Sequence, residues 1–320
     1  MIRTRVTEML GLDWPIVQGG LARVAGPALC AAVSAAGALG QLSTVGLDAA
    51  ALRAAIRQVR AATPRPFGVN FPLGRTDVTP LLEVALEEGV AVIALTAGNP
   101  APWIRRINGA ARTLVLIAGP ELARKAEGAG ADLVATVGFE GGGHIGRGEE
   151  TTLVMVPRVV RAVSIPVLAS GGIADGHGLA AALALGAEGV EMGTRFVATQ
   201  EAQAHDAYKR ALLEAAPEDT MLIKRSIGQP GRVLRSPHAE AIVAAEARQN
   251  IAAEAAGGEL LPLIAGEANA RGVEAGALDE AYVWAGQCVG LISDLPPAGA
   301  VVRRMGEEAR SILGGLAARL

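Results

Sequence analysis

PVLASGGIADGHGLAAALALGAEGVEMGTRFV, residues 166–197, decides the fold. An aliphatic run, PVLAS (166–170), stops at two glycines; the Ala- and Leu-rich stretch GHGLAAALALGA (176–187) follows, and a second aliphatic run, GVEMG (189–193), closes the unit. Short aliphatic runs without polar alternation read as strands buried on both faces, the habit of parallel sheets. An Ala-rich stretch between two of them reads as the crossover helix of a βαβ unit.

Working outward, the same unit recurs upstream. Further strands are predicted at PIVQ (15–18), ALGQLS (38–43), FGVNF (67–71), AVIALTA (91–97), LVLIA (114–118) and DLVATV (132–137). Helical stretches such as LDAAALRAAIRQVRAA, TPLLEVALEEG, GPELARKAEGAG and TLVMVPRVVRAV separate them. Right-handed crossovers leave an open doubly wound sheet or a closed barrel. Eight strands spaced by roughly 25 residues favour the barrel, whose repeats need ~200–250 residues. The expected fold class is therefore α/β, a (β/α)₈ TIM barrel.

After about residue 200 the rhythm breaks. Residues 201–256 read as mostly helical, interrupted by SIGQPGRVLRSP (226–237), whose glycines and prolines mark a loop or extended segment. The expected organisation is barrel strands and helices over 1–200, a mostly helical lobe or cap near the mouth over 201–298, and a C-terminal helix, 299–320, packing back on the barrel.

Composition bounds the partners. Of 320 residues, 51% are hydrophobic and only 19% charged, which excludes a disordered chain. A net charge of −3 leaves no electrostatic footprint for nucleic acid. No run of ~18 strongly apolar residues suggests a membrane span, and the N-terminus lacks the apolar core of a signal peptide. Two cysteines, Cys30 and Cys288, far apart and without metal-ligand spacing, fit a reducing compartment and a cytoplasmic protein.

In such a barrel the active site forms at the C-terminal ends of the strands. Ser170, Gly171 and Gly172 end the seventh strand; Gly193 and Thr194 end the eighth. Loops at those two ends are the usual phosphate site, because glycine lets backbone N–H groups approach an anion. The loop GFEGGGHIGR (138–147) places His144 behind three glycines, an imidazole able to move a proton near neutral pH. Packing explains a polar residue there poorly. The glycines formally match GxGxxG, but no helix opens at once and no acid follows ~20 positions on, so a Rossmann site is rejected. Gln18 and Asn70 could hydrogen-bond a planar heterocycle or merely tie loops. His177 reads as solvated or capping, His205 and His238 lie in the tail without metal-ligand spacing, and no metal site is expected.

PIVQGG, PFGVN, GFEGGGHIG, the segment 164–201 and GQCVGLISD together resemble the nitronate monooxygenase family, formerly called 2-nitropropane dioxygenases. The resemblance implies FMN at the barrel mouth, its phosphate on Gly171, Gly172, Gly193 and Thr194 beside Ser170 and Glu140. It implies the isoalloxazine flanked by backbone around Gln18, Gly19 and Gly20 and by Asn70, with His144 as the catalytic histidine. Two departures are Gly141, where the family usually has Ala, and Leu21, where it often has Met.

The expected reaction is oxidation of an alkyl nitronate by dioxygen to a carbonyl compound and nitrite. An NAD(P)H:quinone oxidoreductase, or a flavin-type enoyl-acyl-carrier-protein reductase, would use the same site. TAGNP, LIKRSIGQPGRVLRS and VWAGQCVGLISD resemble the quinone-reductase branch. A flavin-free barrel binding a phosphorylated metabolite is the reading from another class. The expected partners are a small-molecule substrate, either a nitronate or NAD(P)H plus quinone, with a homodimer admitted.

Overall fold

The computed structural model describes residues 1–74, 77–248, 258 and 260–319. All eight aliphatic runs become strands: β1 (Ile16–Gln18), β2 (Gly40–Ser43), β3 (Phe67–Pro72), β4 (Val92–Thr96), β5 (Arg112–Ile117) and β6 (Leu133–Val137). A two-residue strand, β7 (Gly143–His144), joins another sheet, and β8 (Val167–Ser170) and β9 (Val190–Met192) complete the set. The order is β1-β9-β8-β6-β5-β4-β3-β2 with every pair parallel. A parallel bridge between Val17 and Leu39 joins β1 to the start of β2 and closes the ring. The fold is a TIM barrel.

Strand alternation sorts the core into two shells. Val17, Leu39, Ala94, Leu114, Ala135 and Leu168 fill the interior, while neighbours such as Val69, Ile93, Val115 and Val134 face the outer helices. Val6 and Leu10 of the helix Arg5–Leu10 join the interior cluster and plug it at the end where the strands begin. Thr4 and Thr7 close a capping box around that helix start. It and the helix Ala101–Ile107 are each under two turns long, too short to show a helical period in the sequence.

Beside helices, the tail carries strands, one of them inside 226–237, the segment read as a loop or extended chain. It contains an antiparallel hairpin, β10 (Thr220–Ile223) with β11 (Gly231–Leu234), and β7 adds to its β11 edge. Four-residue strands carry too little pattern to stand out, and the pairing that stabilises them lies in the tertiary structure. Helices Asp206–Glu214, Pro237–Arg248, Leu260–Leu263 and Gly266–Ala275 surround the hairpin. Residues 249–257 of the expected helical stretch lie outside the described residues.

The last helix, Ala298–Ala317, packs against the helices Gly176–Ala184 and Pro27–Ala35, which follow the seventh and first barrel strands. It therefore occupies the eighth position of the outer ring. A side chain on its Gly306 would run into the Trp14 ring, whose Cε3 lies 2.3 Å from the Cβ position. Gly306→Val is expected to lower stability by about 1–3 kcal/mol through overpacking, read as a lower urea midpoint with an unchanged m value.

Candidate functional site

Parallel register puts the C-terminal strand ends on one rim. Gln18 is level with Met192, Ser43 with Asn70, and Val137 with Ser170. The loops carrying Gly19–Gly20, Asn70, Glu140–His144, Ser170–Gly172 and Gly193–Thr194 therefore converge on the same mouth.

Gly171 and Gly172 both take left-handed backbone, with φ of 94° and 75°. A Cβ on Gly171 would lie 3.1 Å from both the Gly138 carbonyl oxygen and the Gly141 nitrogen. Only glycine adopts consecutive left-handed conformations against so close a neighbour without strain. The loop after β6 is bonded to this turn: the Ser170 carbonyl accepts from the Gly138 N–H at 2.9 Å. Glu140 turns its carboxylate to the helix Thr152–Val160, accepting from the Thr152 N–H at 2.9 Å. The Thr152 hydroxyl lies 3.2 Å from that carboxylate and 2.9 Å from the Gly171 carbonyl. So the Glu140 side chain caps a helix and braces the cradle from behind.

Gly193 precedes the short helix Thr194–Val197, and the Thr194 hydroxyl accepts from the Gly286 N–H at 2.9 Å. That bond draws the 286–292 segment over the rim, and the same hydroxyl is within hydrogen-bond reach of the buried Cys288 thiol. On the opposite side, the Gln18 side chain is consumed internally: its amide donates to the Gly19 carbonyl and accepts from the Gln41 N–H. Gln18 is thus a loop tie through its side chain, and its carbonyl accepts from the Gln41 side-chain amide at 3.0 Å. Asn70 is buried against Gly20, and its carbonyl holds the Thr44 hydroxyl at 2.8 Å.

The triple glycine before His144 suggests a flexible approach, but the structure pins it. A Cβ on Gly142 would lie 2.5 Å from the Gly286 nitrogen, so close packing is what requires glycine there. His144 sits opposite Gly231 and Gly143 opposite Arg232 in the β7–β11 ladder. The buried Arg232 guanidinium donates to the Phe139 carbonyl at 3.1 and 3.2 Å, fixing the loop from behind.

The His144 ring leans on Trp284, centroids 4.9 Å apart and planes at 49°. Protein mass around the ring, and then repulsion from the Lys224 ammonium, push its pKa down to about 4. His144 is solvent-exposed, so water screens part of this push; the direction stands, toward a neutral imidazole at pH 7. Such a ring has one lone pair to accept a proton and one N–H to donate.

Several polar groups near the rim escape the sequence reading. Lys224 and Trp284 come to His144 from the tail; they lie in the segments LIKRSIGQPGRVLRS and VWAGQCVGLISD, neither of which names them as site residues. Glu191, buried inside the barrel, is held by the Gln41 Nε2 at 3.2 Å, while the Gln41 Oε1 has no partner among the described residues. Desolvation lifts the Glu191 carboxyl to about 7, partly offset by the Gln41 bond. Its signal was legible: an acid inside the aliphatic run GVEMG. A cleft of about 220 Å³ between Ile145, Arg147, Leu222, Arg225 and Pro230 flanks the loop but includes none of the rim glycines. His177 is exposed beside Asp175 and Glu308, whose carboxylates accept from the Gly178 and Gly176 N–H groups at the start of their helix. His205 caps the helix Asp206–Glu214, and His238 bonds the Leu263 carbonyl.

A family model described as nitronate monooxygenase matches residues 3–308. The chain is 39% identical over 256 residues to a (3aS,4S,5R,7aS)-5-hydroxy-7a-methyl-1-oxo-octahydro-1H-indene-4-carboxyl-CoA dehydrogenase of Mycobacterium tuberculosis, covering 79% of this chain and 72% of that one. It is 36% identical over 278 residues to a nitronate monooxygenase of Pseudomonas aeruginosa, covering 72% of this chain and 79% of the relative. Among solved structures, FabK from Thermotoga maritima superposes over 100% of both chains with a TM-score of 0.91 and 40% identity.

The His144 imidazole is expected to titrate well below the usual histidine value of ~6.5. Replacing Lys224 by Met should move its midpoint upward, because the charge that opposes protonation is gone. Nitrogen chemical shifts of labelled histidine followed from pH 3 to 8 read both; a midpoint near 6.5 in the unaltered protein would contradict the assignment.

Proposed function

We propose that this chain, which belongs to the nitronate monooxygenase family of oxidoreductases, holds FMN across the barrel rim and oxidises alkyl nitronates with dioxygen to a carbonyl compound and nitrite. The observation that carries this reading is the left-handed Gly171–Gly172 turn on the same rim as a neutral His144. A turn that a Cβ would fill is the shape a phosphate needs to approach backbone amides. Gly171, Gly172, Gly193 and Thr194, with Ser170 beside them, are the residues we assign to the FMN phosphate, and Glu140 holds that turn from behind. Backbone at Gln18, Gly19 and Gly20 and the amide of Asn70 are assigned to the isoalloxazine.

When bound, FMN supplies the electron-transfer chemistry, and the protein supplies position and proton control. The neutral His144 imidazole accepts the carbon-bound proton of a nitroalkane or, with its N–H, orients the oxygens of a nitronate. Its β7–β11 pairing and Trp284 contact keep the ring in place, so little freedom is lost when substrate arrives. Residues 1–200 form the catalytic barrel in this reading, residues 201–298 cap it, and 299–320 return to its outer ring. The buried thiols of Cys30 and Cys288 fit a cytoplasmic location.

A second reading has a specific observation in its favour. The likenesses to FabK and to a CoA dehydrogenase have identities of 40% and 39%, above the 36% of the Pseudomonas aeruginosa nitronate monooxygenase. On that reading a bound flavin would carry electrons from NAD(P)H to an enoyl thioester or a quinone, with His144 protonating or polarising the acceptor.

Anaerobic mixing separates the two. Bleaching of the yellow protein by a nitronate and not by NADH selects the first; the reverse selects the second. A protein that stays colourless after incubation with FMN would sink both. His144→Ala should cut turnover by about 10²–10⁴-fold while the flavin absorbance after gel filtration is unchanged. Gly171→Ala should do the opposite to cofactor retention, releasing FMN on the column, because a methyl group there strains the turn that holds the phosphate.

A further inference from the structure

Lys224 is anomalous. It lies in the turn after β10 with a left-handed backbone, φ 65°, and is only 6% exposed. Its ammonium sits 4.8 Å from the Tyr282 ring centroid and 5.1 Å from that of Trp284. Its hydrogen bond is a long one, 3.4 Å to the Tyr282 hydroxyl. An ammonium has three donors, and no other acceptor for them is found among the described residues.

The groups packed around it do not neutralise it. Glu246, from the helix Pro237–Arg248, spends its carboxylate on the Lys224 N–H at 3.0 Å and on the Ser226 N–H and hydroxyl, both at 2.8 Å. The neighbouring Arg225 reaches out to Glu149. Tyr282 is backed by His238, with centroids 6.3 Å apart, and Glu267 acts on Tyr282 and not on the lysine. His144, from β7, is neutral and shares the Trp284 ring with the ammonium. Contact with two aromatic faces returns only part of what desolvating an ammonium costs. A buried cation that forms no ion pair among the described residues and feels Glu246 only at a distance, beside His144, leaves room for an anion from outside.

We propose that Lys224 is the anion-binding residue of this site, its ammonium taking a negatively charged substrate oxygen on the face of Trp284 next to His144. This rests on the nitronate reading above for the substrate, whose planar oxyanion would be shared between the Lys224 ammonium and the His144 N–H. It also divides the two roles: Lys224 supplies the charge, and His144 stays neutral to handle the proton. Burial pushes the Lys224 ammonium down to about 8, with Glu246 partly opposing. Anion affinity is therefore present below that pH and lost as the pH rises through it.

The test uses the holoenzyme with nitrate, a planar oxyanion that needs no turnover, titrated by calorimetry, alongside nitronate kinetics. Lys224→Met should weaken nitrate binding at least tenfold and raise the nitronate KM more than it lowers kcat. It should also abolish the weakening of nitrate binding between pH 7 and 9. Thermal stability should hold or rise, because an uncompensated buried charge has been removed. Unchanged nitrate affinity in the variant, or no nitrate binding by the unaltered protein, overturns the proposal. Should Lys224→Met lower stability, Lys224→Arg decides: restored affinity upholds the charge role, and affinity still lost overturns it. Failure of nitronate to bleach the flavin, with nitrate binding still dependent on Lys224, would remove the nitronate reaction and leave the anion site standing.

Discussion

Two backbone hydrogen bonds close the sheet into a barrel: Gln18 N–H to the Leu39 carbonyl and Leu39 N–H to the Ile16 carbonyl, each 2.9 Å. Everything at the mouth depends on that closure. In an open sheet β1 and β2 would be opposite edges, and Gly19–Gly20 would lie far from Asn70. Closure removes both edges and sets all strand ends in one ring. The interior is sided as a result. Aliphatic side chains and the helix Arg5–Leu10 fill the end where the strands begin, while Gln41, Asn70, Ser170 and Glu191 gather toward the other.

The tail is fastened to that rim by a shared apolar cluster, in which Tyr208, Val283 and Val289 pack with Ile173, Met192 and Phe196, and by directional polar bonds. Thr194 receives the Gly286 N–H, Arg232 donates to the Phe139 carbonyl, and β7 lies in the lobe's own sheet. Arg195, 2% exposed, reaches Asp294 at 2.9 Å and the carbonyls of Ala198 and Asp294. These bonds hold the 286–294 segment against the barrel and with it Trp284. Two buried cations thus meet opposite treatment. Arg195 is matched by a carboxylate and carbonyls and acts as a clamp, whereas Lys224 has one long hydrogen bond among the described residues and shares the Trp284 ring with His144.

Charge at the mouth is arranged for work near neutral pH. His144 is kept uncharged by its surroundings and by Lys224, and Lys224 keeps its proton up to about 8. Glu191, at about 7, is poised to change protonation inside the barrel. The three sit on different strands or loops, so their spacing is a property of the fold and not of any one motif.

The sequence by itself determined the barrel strands, because an aliphatic run flanked by glycine has few other uses in a chain this rich in Ala, Leu and Val. It also placed Gly171–Gly172 at a strand end and singled out His144, since both signals are local, while the left-handed backbone of the two glycines came from the structure. It misread what depends on contacts distant in the chain. The β10–β11 hairpin was hidden because its strands are short and their partners lie elsewhere. The triple glycine suggests flexibility, yet Gly142 is packed closely against Gly286, and that the Glu140 carboxylate accepts from the Thr152 N–H at a helix start is set by contacts that no local signal shows. Lys224 lies in the quoted segment LIKRSIGQPGRVLRS, but nothing in that segment gives it a role. Only the tertiary structure decided that its ammonium would be buried on Trp284 beside His144, because burial and pairing are set by what packs around a residue and not by its neighbours in sequence.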